Sequence, residues 1–200
     1  MRIMIAVPCG TLLHSEFAKS LYNLDTKISG VTAVDLRMHK SSCLVHSRFR
    51  LVDAARHLEY DKILFLDSDM MFPPETLRSL LSHNLPIVGV NYLTRANFIE
   101  PTAKYKGLTR LSIHESAPLT KVEGLGFGVV LMDTSVFDKL SQPWFEFPWD
   151  DAGGYYHSED YVLCSKLIAA GYDIYVDNDL SKKVGHIGEI AFTHKSIQQR

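Results

Sequence analysis

Cysteine is scarce: the 200 residues hold three, Cys9, Cys43 and Cys164, an odd number set far apart. No CxxC pair and no zinc-like spacing occurs, so neither a disulfide framework nor a thiolate zinc module underlies the fold, and a reducing, cytoplasmic setting is expected. Each cysteine is expected to pack as a small hydrophobe. Long apolar runs are missing too. No window reaches the ~18–20 apolar residues of a membrane span, and the opening MRIMIAVPCG is too short for a signal core with its cleavage site; it reads as a strand. Charge excess is also lacking. Twenty-one Lys and Arg against 23 Asp and Glu leave −2, which makes no overall case for a polyanionic partner, although net charge says nothing about a local groove. Repeats, low-complexity tracts and linkers are absent. Residues 1–200 are therefore expected to form one domain, long enough to bury a core without covalent staples.

What is present alternates. Ile3 to Val7 is a nearly continuous apolar run ending at Pro8-Cys9-Gly10, the pattern of a strand buried on both faces. A helix is expected over His14 to Leu24, a strand over Gly30 to Leu36, and a helix over Cys43 to Leu58 with Leu44, Leu51, Ala55 and Leu58 on one stripe. Lys62 to Leu66 reads as another buried strand. Pro73-Pro74 opens a helix with Leu77, Leu80 and Leu81 inward, and Pro86 to Val90 is strand-like. This βαβαβα order predicts a mostly parallel α/β sheet with right-handed crossovers. The second half is less regular. Residues 91–123 are polar, Gly124 to Met132 reads as a glycine-bearing strand, and Trp144 to Gly154 as an aromatic loop. Ser158 to Ala170 reads as a helix closed by Gly171, and Tyr172 to Val176 as a last strand.

The most informative segment is KILFLDSDMMF. A buried strand delivers Asp67 and Asp69 at its C-terminal end, where open α/β sheets place their ligands. Side chains two apart in an extended segment point the same way, and paired carboxylates suit Mg²⁺ or Mn²⁺, which can bridge a diphosphate. Two other readings stand beside this one. The aspartates can cap the following turn, or Asp67 can be the nucleophile of a haloacid-dehalogenase-type phosphatase. Against the phosphatase, Met70-Met71-Phe72-Pro73 follows the motif and no later strand ends in an acidic pair.

Four more features stand out. Arg48 shares the inner stripe of its helix with Val45 and Val52, so it needs an anionic or planar partner; that partner is either a nucleotide or a structural carboxylate. Glu159 and Asp160 open the penultimate helix, where acids favour the dipole. Asp160 also precedes Leu163 and Cys164 on the inward side, which makes it a candidate general base. His186, between Gly185 and Ile187-Gly188, is a candidate to complete a metal shell begun by carboxylates. Gly124-Leu125-Gly126-Phe127-Gly128 resembles a phosphate loop without the GxGxxG spacing, and serves either as a close backbone approach to a ligand or as a bulge.

The order of these motifs resembles that of the GT-A glycosyltransferases, particularly small family-two-like members of bacteria and their phages. The resemblance spans roughly residues 3 to 190 and rests on FLDSDMMFPP, SEDYVLCSKLIAAGYDIYVD and HIG. It implies a Rossmann-like α/β fold, with a nucleotide-binding half over about 1–92 and an acceptor and catalytic half over about 93–200. It also implies transfer of a sugar from a nucleoside diphosphate donor, a UDP-sugar first, to an acceptor hydroxyl, with Mn²⁺ or Mg²⁺ as cofactor. The acceptor would be a saccharide or a hydroxymethylated pyrimidine in phage DNA. A non-catalytic nucleotide-sugar-binding module with the same fold is the other class open at this point.

Residue by residue, the resemblance puts Asp69, Asp67 and His186 on the metal. Pro8, Cys9, Arg48, Asp67 and Ser68 would line the nucleotide pocket, and Tyr92, Gly126, Phe127 and Gly128 would flank the donor sugar or acceptor. Asp160 would be the base, with Glu159 its neighbour.

Overall fold

The computed structural model describes residues 1–95, 99–105 and 109–188; residues 189–190, the end of the span matched by resemblance, lie outside it. The first half follows the alternation of its apolar residues. In chain order it runs through β1 (Arg2–Cys9), α1 (Ser15–Asn23), β2 (Ala33–Lys40), α2 (Leu44–His57), β3 (Lys62–Leu66), β4 (Met70–Met71), α3 (Thr76–Ser82) and β5 (Ile87–Gly89). The second half supplies β6 (Leu119–Val122), β7 (Val129–Asp133), β8 (Trp149–Asp150), β9 (Tyr155–Tyr156), α4 (Glu159–Ala169), β10 (Ile174–Asp177), α5 (Asn178–Ser181) and β11 (Gly185–His186).

Among the described residues, seven strands form one sheet in the order β2-β1-β3-β7-β5-β10-β6. β1 is parallel to β2 and β3, and β10 to β5. β7 is antiparallel to both β3 and β5, and β6 to β10. Five strands therefore run one way and two the other. The two halves are joined through this sheet, since β7 inserts between β3 and β5.

Strand periodicity decides which residue meets which layer of helices. On one face Met4 and Ala6 of β1 and Ile63 and Phe65 of β3 pack with Leu51, Val52 and Ala55 of α2 and Leu163, Cys164 and Leu167 of α4. On the other, Ile3, Ile5 and Val7 with Leu64 and Leu66 pack with Phe17, Leu77, Leu80 and Leu180. The sheet is thus covered on both sides, as its continuous apolar strands require.

Several boundaries differ from expectation, each for a local reason. β2 lies at Ala33–Lys40 rather than Gly30 to Leu36; it is an edge strand exposed over much of its length, so burial leaves little pattern to read. The Gly124 to Met132 strand begins only at Val129. The Trp144 to Gly154 loop contains β8, which pairs with β9 as a hairpin. In α2 the buried stripe is Ser47, Arg48, Leu51, Val52 and Ala55, whereas Leu44 and Leu58 are 37 % and 39 % exposed. Gly171 does close α4, with φ +88° and its N–H donating to the Ile168 carbonyl at 2.9 Å.

Candidate functional site

Because β1 and β3 are adjacent and parallel, the turns leaving their C-terminal ends lie side by side. Pro8-Cys9-Gly10 and Asp67-Ser68-Asp69 form the floor of a cleft of about 320 Å³. Ser41, Ser42, Leu44 and Ser47, around the start of α2, close one side; Tyr92, Arg95 and His186 close the other. A helix N-terminus with free amides and small hydroxyl side chains is a natural place for phosphate oxygens.

The DxD turn closes through its backbone, with Met70 N–H donating to the Asp67 carbonyl at 3.1 Å. The two carboxylates turn to different cations. Arg48 Nη2 donates to Asp67 Oδ1 and Oδ2 at 3.0 and 3.1 Å, and its Nε donates to Glu159 Oε1 at 3.0 Å. Its Nη1 reaches the Phe127 carbonyl at 3.4 Å, and the guanidinium lies 5.6 Å from the ring centres of both Phe65 and Phe127. Arg48 is only 2 % exposed.

These contacts correct two sequence expectations. Arg48 is not a wall of the nucleotide cleft; it is the structural ion-pair partner that ties α2, β3 and α4 together. Glu159 is buried beneath Arg48 and also accepts from Ser158 Oγ at 3.3 Å, so it has no face toward a substrate. Asp67 accepts from Arg48 through both oxygens while its side chain still lines the cleft, 23 % exposed.

The electrostatics follow from one guanidinium shared by two carboxylates. Burial pushes the Asp67 carboxyl up to about 6; Arg48 opposes the rise, while Asp69 and Glu159 add to it. Burial works against the Arg48 charge, but Asp67 and Glu159 outweigh it and raise its pKa.

Asp69 has a different environment. Oδ2 is ion-paired with Arg95 Nη2, and Oδ1 is buried with no hydrogen-bond partner. His186 Nε2 stands 3.6 Å from that Oδ1. Burial pulls the Asp69 carboxyl upward, but His186 and Arg95 outweigh it and hold it below its ordinary value. His186 is placed by β11, which pairs antiparallel with β4 just after the DxD turn, and Ile187 N–H donates to the Asp69 carbonyl at 2.7 Å. Its Nδ1 lies 2.9 Å from the Leu93 carbonyl. A carbonyl only accepts, so Nδ1 donates to it, and Nε2 is the ring nitrogen turned toward Asp69 Oδ1. Among the described residues, no cluster of three or more His, Cys, Asp or Glu side chains is arranged to hold a metal.

Tyr92 packs edge-on against His186, ring centres 5.2 Å apart, and its Oη accepts from Gly128 N–H at 3.2 Å. Its phenol is pushed well above the ordinary value, chiefly by burial. The glycines explain its seat. A Cβ on Gly126 would lie 2.5 Å from Tyr92 Oη, and one on Gly128 2.9 Å from its ring. Both glycines therefore make room for a residue of the cleft wall. Phe127, fully buried against Phe65 and Phe145, belongs to the core and not to a sugar site, a further correction. Gly126→Ala is expected to displace the Tyr92 ring and cost about 1–3 kcal/mol as overpacking, seen as a lower urea midpoint. An unchanged midpoint would show that the ring is not confined there.

Asp160 stands half-buried in the first turn of α4, and its charge is felt at Tyr92 and Arg48. Arg95 is the cleft residue that sequence reasoning missed. It sits in an irregular stretch with no periodicity to mark it, and only proximity to Tyr92 in sequence hinted at its place.

No protein-family model matches the chain, and no curated protein matches it in sequence. Solved structures do. A197 from STIV is similar with a TM-score of 0.60 at 14 % identity, covering 97 % of this chain and 100 % of that one. S. aureus TarS 1–349, solved in complex with UDP-GlcNAc, is similar with a TM-score of 0.59 at 15 % identity over 98 % of this chain. The chain spans 61 % of that TarS piece, and 37 % of a longer TarS structure with a TM-score of 0.58 at 17 % identity. The shared feature is the fold: an α/β arrangement of GT-A type around a mostly parallel central sheet.

Proposed function

We propose that the protein is a metal-dependent glycosyltransferase that binds a nucleoside diphosphate sugar in the cleft between the ends of β1 and β3. The observation that carries this reading is the buried Asp69 Oδ1, which has no hydrogen-bond partner and has His186 Nε2 3.6 Å away. A divalent cation held by both would give Oδ1 the partner it lacks, and the backbone carbonyl behind His186 is the usual outer support of a metal-bound imidazole. Two protein ligands are enough for Mg²⁺ or Mn²⁺ where diphosphate oxygens and water complete the shell. Bound there, the ion would neutralise charge developing on the departing diphosphate.

The chain's own residues would do the rest. Ser41, Ser42 and the first turn of α2 would receive phosphate oxygens, and Pro8 and Cys9 would flank the nucleoside. Asp160 would take the proton of the acceptor hydroxyl as its oxygen bonds to the anomeric carbon and the bond from that carbon to the diphosphate breaks. Positioning acceptor and donor in line supplies much of the remaining acceleration. The acceptor is a saccharide hydroxyl or a hydroxymethylated pyrimidine, distinguished by which of the two takes up label from a radiolabelled donor.

A thermal-shift panel of nucleoside diphosphate sugars, run with Mn²⁺ and with chelator, tests the reading. At about 100 times its Kd, a donor adds ~2.7 kcal/mol, roughly 5–10 °C for a chain of this size. One donor class is expected to give that shift with Mn²⁺ only, and Asp69→Asn is expected to abolish it. Equal shifts with chelator would remove the metal from the proposal, and no shift with any donor would remove the donor.

A further inference from the structure

Arg95 is the only lysine or arginine among the described residues that line the cleft. It is also spent in an unusual way. Its Nη2 is ion-paired with Asp69 Oδ2, and its Nη1 donates to the Ile187 carbonyl at 3.0 Å, beside the residue pair proposed to hold the metal. Arg48, the other arginine near the motif, is buried behind the wall with all its contacts made. Among the described residues, a diphosphate entering the cleft therefore meets one cationic side chain, 45 % exposed, whose present partner is a carboxylate that a divalent ion would claim.

We infer that Arg95 is an exchangeable cation: it neutralises Asp69 in the empty cleft, yields that carboxylate to a divalent ion, and then binds the diphosphate. The exchange conserves local charge pairing at each stage. Without metal, Asp69 has the guanidinium. With metal and nucleotide, Asp69 has the ion, and the planar fork of Arg95 is free for two phosphate oxygens, the geometry guanidinium suits better than ammonium. The inference rests on the proposed nucleotide-sugar reading, and it adds a residue whose effects on the two ligands have opposite sign.

That opposition is the test. Free Mn²⁺ is followed by its electron paramagnetic resonance signal as the whole chain is titrated, and UDP binding is measured separately in saturating Mn²⁺. In Arg95→Gln, Mn²⁺ alone is expected to bind about fivefold more tightly, because a half-exposed competing ion pair is gone. UDP is expected to bind about tenfold more weakly, because a charge-assisted contact is lost. Arg95→Lys keeps a competing cation and should restore the wild-type Mn²⁺ affinity while leaving UDP weaker than wild type. Mn²⁺ affinity unchanged or reduced in Arg95→Gln would overturn the exchange, and a general loss of structure would show as both ligands weakening together with a lowered melting temperature. Tighter Mn²⁺ with unchanged UDP would overturn the diphosphate role. A wild-type chain that binds Mn²⁺ but no nucleoside diphosphate would sink the proposed function instead, and the Mn²⁺ comparison would still decide whether Arg95 competes for Asp69.

Discussion

Arg48→Met is expected to cost about 3–5 kcal/mol of stability at pH 7, the penalty of removing the cation from a buried ion cluster. Methionine roughly matches the arginine stem in bulk, so cavity formation contributes little; the loss comes from leaving the buried Glu159, and Asp67 at the cleft floor, without their shared cation. Both carboxylates now meet the same guanidinium at 3.0 Å, and Glu159 has little water to turn to. The effect has a defined pH signature. In the wild type the folded Asp67 titrates near 6, above its ordinary 3.8. Between those values the native state keeps a proton that the unfolded chain has lost, so this group's contribution to stability falls as pH rises through that window. In Arg48→Met the opposing guanidinium is absent, so the Asp67 carboxyl rises further, and the deficit should be largest near neutrality and shrink toward pH 4. Urea denaturation at several pH values checks this. A deficit independent of pH would mean that packing, not charge, is what Arg48 supplies. Adding Asp67→Asn and Glu159→Gln to Arg48→Met should recover part of the loss, because the remaining groups carry no charge.

The same cluster shows what the sequence made legible and where it stopped. Arg48 is conspicuous on an apolar helix stripe, and the two readings of it, nucleotide contact or structural pair, differ only in which anion is near. Choosing between them needs Glu159, 111 positions away in the chain. Burial likewise differs from the expected inward placing of Asp160: the buried acid is Glu159 and Asp160 is half-buried, since a one-residue step around a helix turns a side chain by ~100°. The strand Lys62–Leu66 was readable to the residue, because continuous apolar burial and the aspartates at its end bound it on both sides. β6 was not. Its sequence, LTKV, is short and mostly part-exposed at a sheet edge, and its pairing with β10 is a long-range event that leaves no local mark. The seat of His186 depends on β11 adding to β4, two strands of two residues each, again too short for periodicity to register. Arg95 lacked even that much signal.

Asp160→Asn is expected to leave donor and Mn²⁺ binding at wild-type levels while lowering the transfer rate by about 10²–10⁴-fold, the usual contribution of a positioned acid or base. Asp160 does not itself line the cleft, but its charge acts on Tyr92, which does, and among the described residues it is the one of the four acids around the motif without a cation. Asp67 and Glu159 are held by Arg48, and Asp69 is engaged by Arg95 with His186 alongside. Asp160 has no cationic partner among the described residues; its Oδ1 accepts only from the neighbouring Tyr161 N–H at 2.7 Å, which leaves the carboxylate able to take a proton. Asparagine keeps the shape and that hydrogen bond but has no site for the proton. The variant also separates two classes of protein that share this fold. An enzyme loses turnover with its ligands still bound, a change confined to kcat. A binding module shows no transfer in either form and no difference in donor affinity. Single-turnover transfer from a labelled donor, measured beside a melting curve in donor and Mn²⁺, distinguishes the two. Unchanged turnover in Asp160→Asn would assign the base to another residue, while a loss of the donor-induced melting shift would make Asp160 a binding residue instead.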